Sequence, residues 1–104
     1  MIIATTPDIT GKTIKKTLGL VRGNTIRACH IGHDLAALFR NIVGGEITDY
    51  TKLMAESREQ ALDRMVVEAQ GLGANAIVCV RFATSMIMQS AAEMVAYGTA
   101  VIVD

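Results

Sequence analysis

The chain has 104 residues, 51% of them hydrophobic and only 19% charged, and its ten basic and ten acidic side chains cancel. A zero net charge without a basic cluster argues against nucleic-acid binding and against an anionic membrane surface. No 18-residue apolar run or signal-peptide pattern occurs, so we expect one cytoplasmic domain over residues 1–104. A domain this small hides only roughly 60–70% of its unfolded surface, and the surplus apolar residues predict a homo-oligomer.

The N-terminal quarter predicts two strands. Met1 to Thr5 is short, apolar and β-prone, and Thr6-Pro7-Asp8 carries turn chemistry. From Thr13 to Val21 the side chains alternate with a period of two, which predicts a strand with two unlike faces. Gly23-Asn24 favours a turn, after which Thr25 to Cys29 resumes the strand. One face of the first part would carry Ile14, Lys16, Leu18 and Leu20.

Two helices are predicted in the middle of the chain. His33 to Val43 places its apolar residues on one face, and Gly44-Gly45 ends this short helix and joins it to the next. The stretch from Asp49 to Gly73 predicts a long amphipathic helix, with Asp49 as N-cap and Gly73 in the left-handed position that ends helices. Its apolar stripe comprises Tyr50, Leu53, Met54, Ala61, Leu62, Met65, Ala69 and Leu72.

Two further strands complete the predicted α+β domain. Ala76 to Phe82 is almost continuously apolar, which favours a central strand buried on both faces, and residues 83–90 would extend it and turn. Glu93 to Val103 alternates between two unlike faces. Small residues at positions 96, 98 and 100 would allow the close approach of either a helix or a second subunit.

Short motifs recur in a fixed order along the whole chain. They are Thr5-Thr6-Pro7 with Gly11, Val21-x-Gly23, Asp34, Val43-Gly44-Gly45-Glu46, Tyr50, Arg58 with Ala61, Gly73-Ala74-Asn75-Ala76 and Tyr97-Gly98-Thr99-Ala100-Val101. In this order and spacing the chain resembles the YbjQ family, also called UPF0145, which carries a heavy-metal-binding label. The resemblance implies a two-layer, dodecin-like subunit in which one long and one short helix cover an antiparallel sheet. It also implies additional short strands that join neighbours into a ring, usually a pentamer.

The sharpest cluster of metal-ligating side chains is Cys29, His30, His33 and Asp34. A thiolate, two imidazoles and a carboxylate suit Zn²⁺ or a soft ion such as Cu(I). The alternative interpretation is a strand-to-helix turn in which Asp34 or His33 caps the short helix and Cys29 is buried. Asp34 matches the YbjQ pattern, whereas Cys29, His30 and His33 depart from it. A site built on those three would therefore belong to this protein and its near relatives.

A second group of residues is expected at a subunit interface or pocket. Cys79 and Arg81 would share one face of a strand, and Arg81 is expected to pair with Glu93 by charge. The resemblance adds other polar positions that recur in the family pattern. Together with Glu93 they are Glu46, Tyr50, Arg58 and Tyr97. These side chains would line a pocket or form polar pairs that fix the register of the subunits.

The sequence carries no catalytic signature. Cys29 and Cys79 are expected to be free thiols, because a disulfide is rare in a chain without a signal peptide. A thiol enzyme would combine one of them with His30 or His33. The sequence therefore predicts a self-associating protein that binds a metal ion. A structural or interaction module without metal is the alternative, and a thiol enzyme is a third hypothesis.

Overall fold

The computed structural model describes residues 1–28, 42–43, 46–88 and 91–104. It contains a long helix and a four-stranded sheet, and a short two-stranded hairpin precedes the helix. The elements in chain order are β1 (Ile2–Ile3), β2 (Ile14–Ala28), β3 (Ile42–Val43), β4 (Glu46–Ile47), α1 (Thr48–Gly71), β5 (Ala76–Met88) and β6 (Ala91–Val103). The predicted α+β class is confirmed.

The sheet is mixed rather than purely antiparallel, with the strand order β1-β5-β6-β2. β6 pairs antiparallel with both β5 and β2, whereas the two-residue β1 pairs parallel with β5. The chain can place β1 beside β5 in parallel because a long crossover that includes α1 separates them. The prediction of an antiparallel sheet is therefore wrong at this edge.

Helix α1 begins at Thr48 and ends close to the predicted glycine. Asp49 lies inside the first turn, so its assignment as the N-cap is wrong. Gly73 has a φ of 85°, and its amide donates to Gln70 O at 3.0 Å while the Ala74 amide donates to Ala69 O at 3.1 Å. This pair of bonds is a Schellman cap, which requires a left-handed residue that glycine supplies without a Cβ clash. The prediction for Gly73 is confirmed.

The main core lies between α1 and the β2–β6 half of the sheet. Three residues of the predicted stripe at four-residue spacing, Ala61, Met65 and Ala69, are fully buried. They pack against one face of the strands, whose buried members are Val21, Ile77, Val80, Met94, Ala96 and Ala100. Ser57 continues the same stripe and is also buried, whereas Leu72 follows the helix and is 49% exposed. The stripe is therefore shorter than predicted.

Helix and sheet are in close backbone contact at Gly23. A Cβ atom at this position would collide with the backbone carbonyl of Ala61 and the backbone nitrogen of Met65. Gly23 lies inside the continuous strand β2, opposite Ala96, so the predicted turn at Gly23-Asn24 is wrong. Glycine serves here to let a helix backbone touch a strand, which is a known use of glycine inside strands.

A smaller core covers the opposite face at one end of the sheet. Ile9 and Ile14 pack there on buried residues of β5 and β6, namely Ala76, Val78, Val101 and Val103. Irregular registers between Ile14 and Lys16 and between Thr17 and Gly19 interrupt the alternation of β2. Leu18 consequently packs on the helix side, while Leu20 is 62% exposed. The single predicted face containing Ile14, Leu18 and Leu20 is therefore split between two faces.

The predicted short helix falls mostly outside the described residues. Its last two residues, Ile42 and Val43, form strand β3 and pair with β4, so a helix through Val43 is wrong. Gly44-Gly45 accordingly follows a strand rather than a helix. The predicted extension of the strand from Ala76 beyond Phe82 is confirmed to Met88. None of the helices in the described part of the chain is long and apolar enough to cross a membrane.

Candidate functional site

A row of three polar side chains crosses the sheet face that α1 does not cover. Tyr97 on β6 lies directly opposite Arg22 on β2 and directly opposite Arg81 on β5. Directly opposite residues of antiparallel strands project from the same face. Arg22 and Arg81 are exposed, and Tyr97 is 38% exposed. We call Arg22, Tyr97 and Arg81 the arginine row.

Arg81 is fixed by the N-terminal segment rather than by a carboxylate. Its Nη1 atom donates to the carbonyl oxygens of Thr5 and Val80, both at 2.8 Å. The predicted pair with Glu93 is wrong, because Glu93 lies opposite Ser85, two side-chain rows from Arg81 on the same face. Glu93 instead accepts a hydrogen bond from Asn24 Nδ2 at 3.3 Å. The site therefore brings Arg81 together with Tyr97 but not with Glu93.

Cys79 occupies an irregular point of β5 immediately before the arginine row. Its φ of 56° is a left-handed conformation, and the register shifts between Val78 and Arg81. The Cys79 amide donates to Thr6 O at 3.0 Å, and the Val80 amide donates to Ala4 O at 3.0 Å. The N-terminal segment thus holds this bulge on one side. The Cys79 thiol is half-buried and is not in a disulfide.

The other predicted interface residues lie elsewhere. Arg58 is exposed on α1, on the opposite side of the sheet from the arginine row. Glu46 begins β4 and pairs with Val43, and Tyr50 lies in the first turn of α1. Arg58 therefore does not join Arg81, Glu93 and Tyr97 on one face of the sheet. The expectation that the set lines a pocket at a subunit boundary, or fixes the register of the subunits, stays a prediction.

The predicted metal ligands Cys29, His30, His33 and Asp34 lie outside the described residues. Among residues 1–28, 42–43, 46–88 and 91–104, no three His, Cys, Asp or Glu side chains are grouped so that they could hold a metal ion. The predicted metal site stays a prediction.

A depression of about 380 Å³ lies between β2 and α1. It is lined by Arg27 of β2 and by four residues of α1, which are Ala55, Glu56, Glu59 and Gln60.

Comparison with known families decides the membership of the chain. A family model described as "Putative heavy-metal-binding", YbjQ, matches residues 1–104. This chain belongs to the YbjQ family. The YbjQ resemblance found in the sequence is therefore confirmed over its whole length.

Relatives in other organisms share more than half of the sequence. A UPF0145 protein of Dehalococcoides mccartyi is 59% identical over 104 residues, which is 100% of both chains. A UPF0145 protein of Methanosarcina acetivorans is 57% identical over 101 residues, covering 97% of this chain and 95% of its own. Neither protein has an enzymatic name.

A solved structure supports the YbjQ fold. The crystal structure of a DUF74 family protein from Pediococcus pentosaceus matches with a TM-score of 0.72 at 17% identity, covering 100% of this chain and 98% of that one. At this level of identity the match bears on the fold alone. The dodecin-like description and the ring remain predictions for this YbjQ protein.

Sequence reasoning found Arg81 and Tyr97 but missed Arg22. Arg22 was missed because the turn predicted at Gly23-Asn24 would end the strand beside it. In the structure β2 continues past this point. Once β2 is continuous, the two-residue period places Leu20, Arg22, Asn24 and Ile26 on the same side. This side of β2 mixes polar and apolar residues and is exposed. The other side, with Val21, Gly23 and Thr25, is buried.

Proposed function

We propose that this YbjQ protein is a homo-oligomeric binding protein of the cytoplasm that assembles as a ring, with the pentamer as the expected size. The observation that carries the proposal is excess surface. The accessible surface is 6731 Å², about 1,100 Å² more than the roughly 5,650 Å² of a compact monomer of 11.1 kDa. The radius of gyration, 17.0 Å, similarly exceeds the about 13 Å expected at this length. Extra surface of this extent suits a subunit that buries part of it against neighbours.

The excess surface is apolar in places where association would cover it. Phe82 and Met86 project from the helix-side face of β5 but are 44% and 78% exposed, because α1 lies over β2 and β6 instead. On the other face, Leu20 and Ile26 are 62% and 61% exposed. Exposed apolar side chains grouped on a sheet are typical of interfaces between subunits.

Two strand edges are also open to a neighbour. β2 has no strand on its outer side, and β5 has none beside residues 81–88, counting only the strands that the structure describes. Unpaired edges expose backbone donors and acceptors that can pair with another chain. A β2 edge meeting a β5 edge is a heterologous contact, which generates a ring when the rotation closes. Such a contact would favour a ring over a two-fold dimer.

The ligand that we propose is a divalent or soft metal ion bound by Cys29, His30, His33 and Asp34. The support is the family description together with the chemistry of this donor set. A thiolate and two imidazoles favour Zn²⁺ or Cu(I) over hard ions such as Mg²⁺. The same surface argument supports an assembly module that binds no metal, so the metal and the assembly need separate tests.

Native mass spectrometry of the untagged protein tests both parts. We expect a ring mass with metal in proportion to subunits, lost with EDTA and restored by Zn²⁺ or Cu(I). Cys29→Ser combined with His30→Gln and His33→Gln should abolish metal binding without changing the ring mass, while the control Cys79→Ser should retain both. A metal-free protein that stays empty when Zn²⁺ and Cu(I) are offered would leave the assembly module as the function.

A charge placed on the exposed apolar surface tests the assembly itself. Met86→Glu should shift the mass towards the monomer, because a carboxylate cannot be buried at an interface without a partner. Val67→Glu is the matched control, since Val67 is 65% exposed on α1 and outside the proposed contact. A wild-type protein that is monomeric at micromolar concentration would refute the ring.

A further inference from the structure

The N-terminal segment covers the first part of the outer edge of β5 with backbone hydrogen bonds. The Ile2 amide donates to Asn75 O at 3.2 Å. The Ala4 amide donates to Ile77 O at 2.9 Å, and amides in the bulge of β5 donate back to the segment. We call residues 2–6 the edge cover, because they pair with backbone groups that a strand of another chain could otherwise use.

Arg81 marks the end of the edge cover. Its Nη1 atom donates to Thr5 O at 2.8 Å, so the guanidinium lies across the outer edge of β5. After this point β5 runs on to Met88, and no strand of the described chain lies on its outer side. We call residues 82–88 the open stretch. The outer edge of β5 is thus divided into a covered part and an open part.

The burial of β5 changes where the edge cover ends. Residues 76–78 and Val80 are buried, whereas residues 82–87 are exposed on both faces of the sheet. Phe82 and Met86 in particular are 44% and 78% exposed, although both side chains are large and apolar. An apolar strand end that is uncovered on both faces and unpaired along its edge is typical of a surface that another chain completes.

We propose that the edge cover confines pairing between copies of this chain to the open stretch. The inference rests on the proposed assembly and adds the surface by which two copies meet. A neighbour's β2 edge pairs with β5 after Arg81 and stops where the edge cover begins. Without such a stop, a strand can slip by two residues and still present the same side chains to each face. A fixed register gives every contact the same rotation, which a closed ring requires.

A second copy of this chain is the occupant that fits the open stretch. The smallest specific interfaces bury about 600 Å² on each partner, and a subunit in a ring makes two of them. The excess surface of about 1,100 Å² provides nearly that area. The outer edge of β2 also brings exposed apolar side chains to the contact, because Leu20 and Ile26 are 62% and 61% exposed.

The direction of the backbone identifies the groups that would pair. The Val80 amide points to the outer edge, because it donates to Ala4 O at 3.0 Å. Amide directions alternate along a strand, so the amides of Phe82, Thr84 and Met86 point to the same edge. A proline at position 84 would remove one of these donors, while β5 keeps its hydrogen bonds to β6 on the other side.

The first test compares two substitutions of Thr84 in the full chain by native mass spectrometry. Thr84→Pro removes the outward amide, so we expect it to lose the assembled mass of the wild type. Thr84→Ala is the matched control, because it shortens the same side chain but keeps the amide. It should retain the assembled mass.

The second test loosens the edge cover itself. Ala4→Pro removes the donor to Ile77 O, so a neighbour's strand can pair further along β5 and in more than one register. We expect several masses, including masses above that of the wild type. Ile3→Pro is the control, because the amide of Ile3 alternates with those of Ile2 and Ala4 and points away from β5. It should keep the single mass of the wild type.

The results separate the edge cover from the ring. If the wild type assembles and Ala4→Pro has the same single mass, the edge cover is refuted and the ring stands. If Thr84→Pro and Thr84→Ala assemble equally, the contact between copies does not use the open stretch, which also refutes the inference. A monomeric wild type would refute the ring. Association of Ala4→Pro would then still support the edge cover, whereas a monomeric Ala4→Pro would refute both.

Discussion

Replacing Gly23 by alanine should destabilise the protein strongly through a single methyl group. The added Cβ would meet backbone atoms of Ala61 and Met65, which no change of rotamer can move. Helix α1 must therefore shift away from β2, and the buried side chains of Ala61, Met65 and Ala69 lose contact with the sheet. Overpacking costs about 1–3 kcal/mol, and more where backbone must move. Alanine recovers about 0.4–1 kcal/mol by restricting the unfolded chain.

With the upper end of the overpacking cost, the net expectation is a loss of about 2 kcal/mol in the free energy of unfolding, or roughly 10 °C in Tm for a domain of this size. Urea denaturation followed by circular dichroism measures it, at a fixed subunit concentration because assembly would couple to folding. Gly71→Ala is the control, since no atom lies within 4 Å of the added Cβ and its φ is not positive. It should be neutral or stabilising by up to about 1 kcal/mol. A Gly23→Ala protein within about 0.5 kcal/mol of the wild type would refute the close packing of α1 on β2.

Two further substitutions test the strained bulge and the loop after α1. The φ of 56° at Cys79 costs about 1–2 kcal/mol, and Cys79→Gly relieves this strain against an entropic cost of roughly 0.5–1 kcal/mol, so this variant should be at least as stable as the wild type in urea. The β-branched Cys79→Val should be at least about 1 kcal/mol less stable than the wild type. Equal midpoints for the two variants would contradict a left-handed residue. Asn75 Nδ2 donates to Val103 O at 2.7 Å and Oδ1 accepts from Val103 N at 2.8 Å. Asn75→Ala should therefore cost roughly 1–3 kcal/mol and speed hydrogen exchange at the Val103 amide; unchanged protection of that amide would contradict the role of the side chain.

The sequence predicts those features that depend on periodicity and on local chemistry. The long helix, its glycine cap and the two C-terminal strands follow from the spacing of apolar residues and from Gly73. Fold class and family are accordingly accessible without coordinates. Metal ligation was inferred from residue types alone, and the described residues do not test it.

The errors arise where tertiary contacts override local preference. Gly23-Asn24 has turn chemistry, but the close contact with α1 requires a residue without a Cβ at position 23. Strand β2 therefore continues through Gly23 instead of turning there. The partner of Arg81 could not be predicted either. The bulge at Cys79 shifts β5 against β6, and the carbonyl of Thr5, 76 residues away in sequence, takes the place of Glu93. Irregular registers of this kind have no signal in the alternation of side chains.

The pairing of β2 with β6 has a consequence for synthesis of the protein on the ribosome. β2 ends at Ala28, and its only strand partner in the described chain spans residues 91–103. At about 5–20 residues per second, β2 waits several seconds for that partner to be translated. During this time it offers a long β-prone segment to other nascent chains and to chaperones. Translation that stalls before β6 would therefore release an aggregation-prone intermediate, and the yield of this protein in cells should depend on the speed at which residues 29–103 are made.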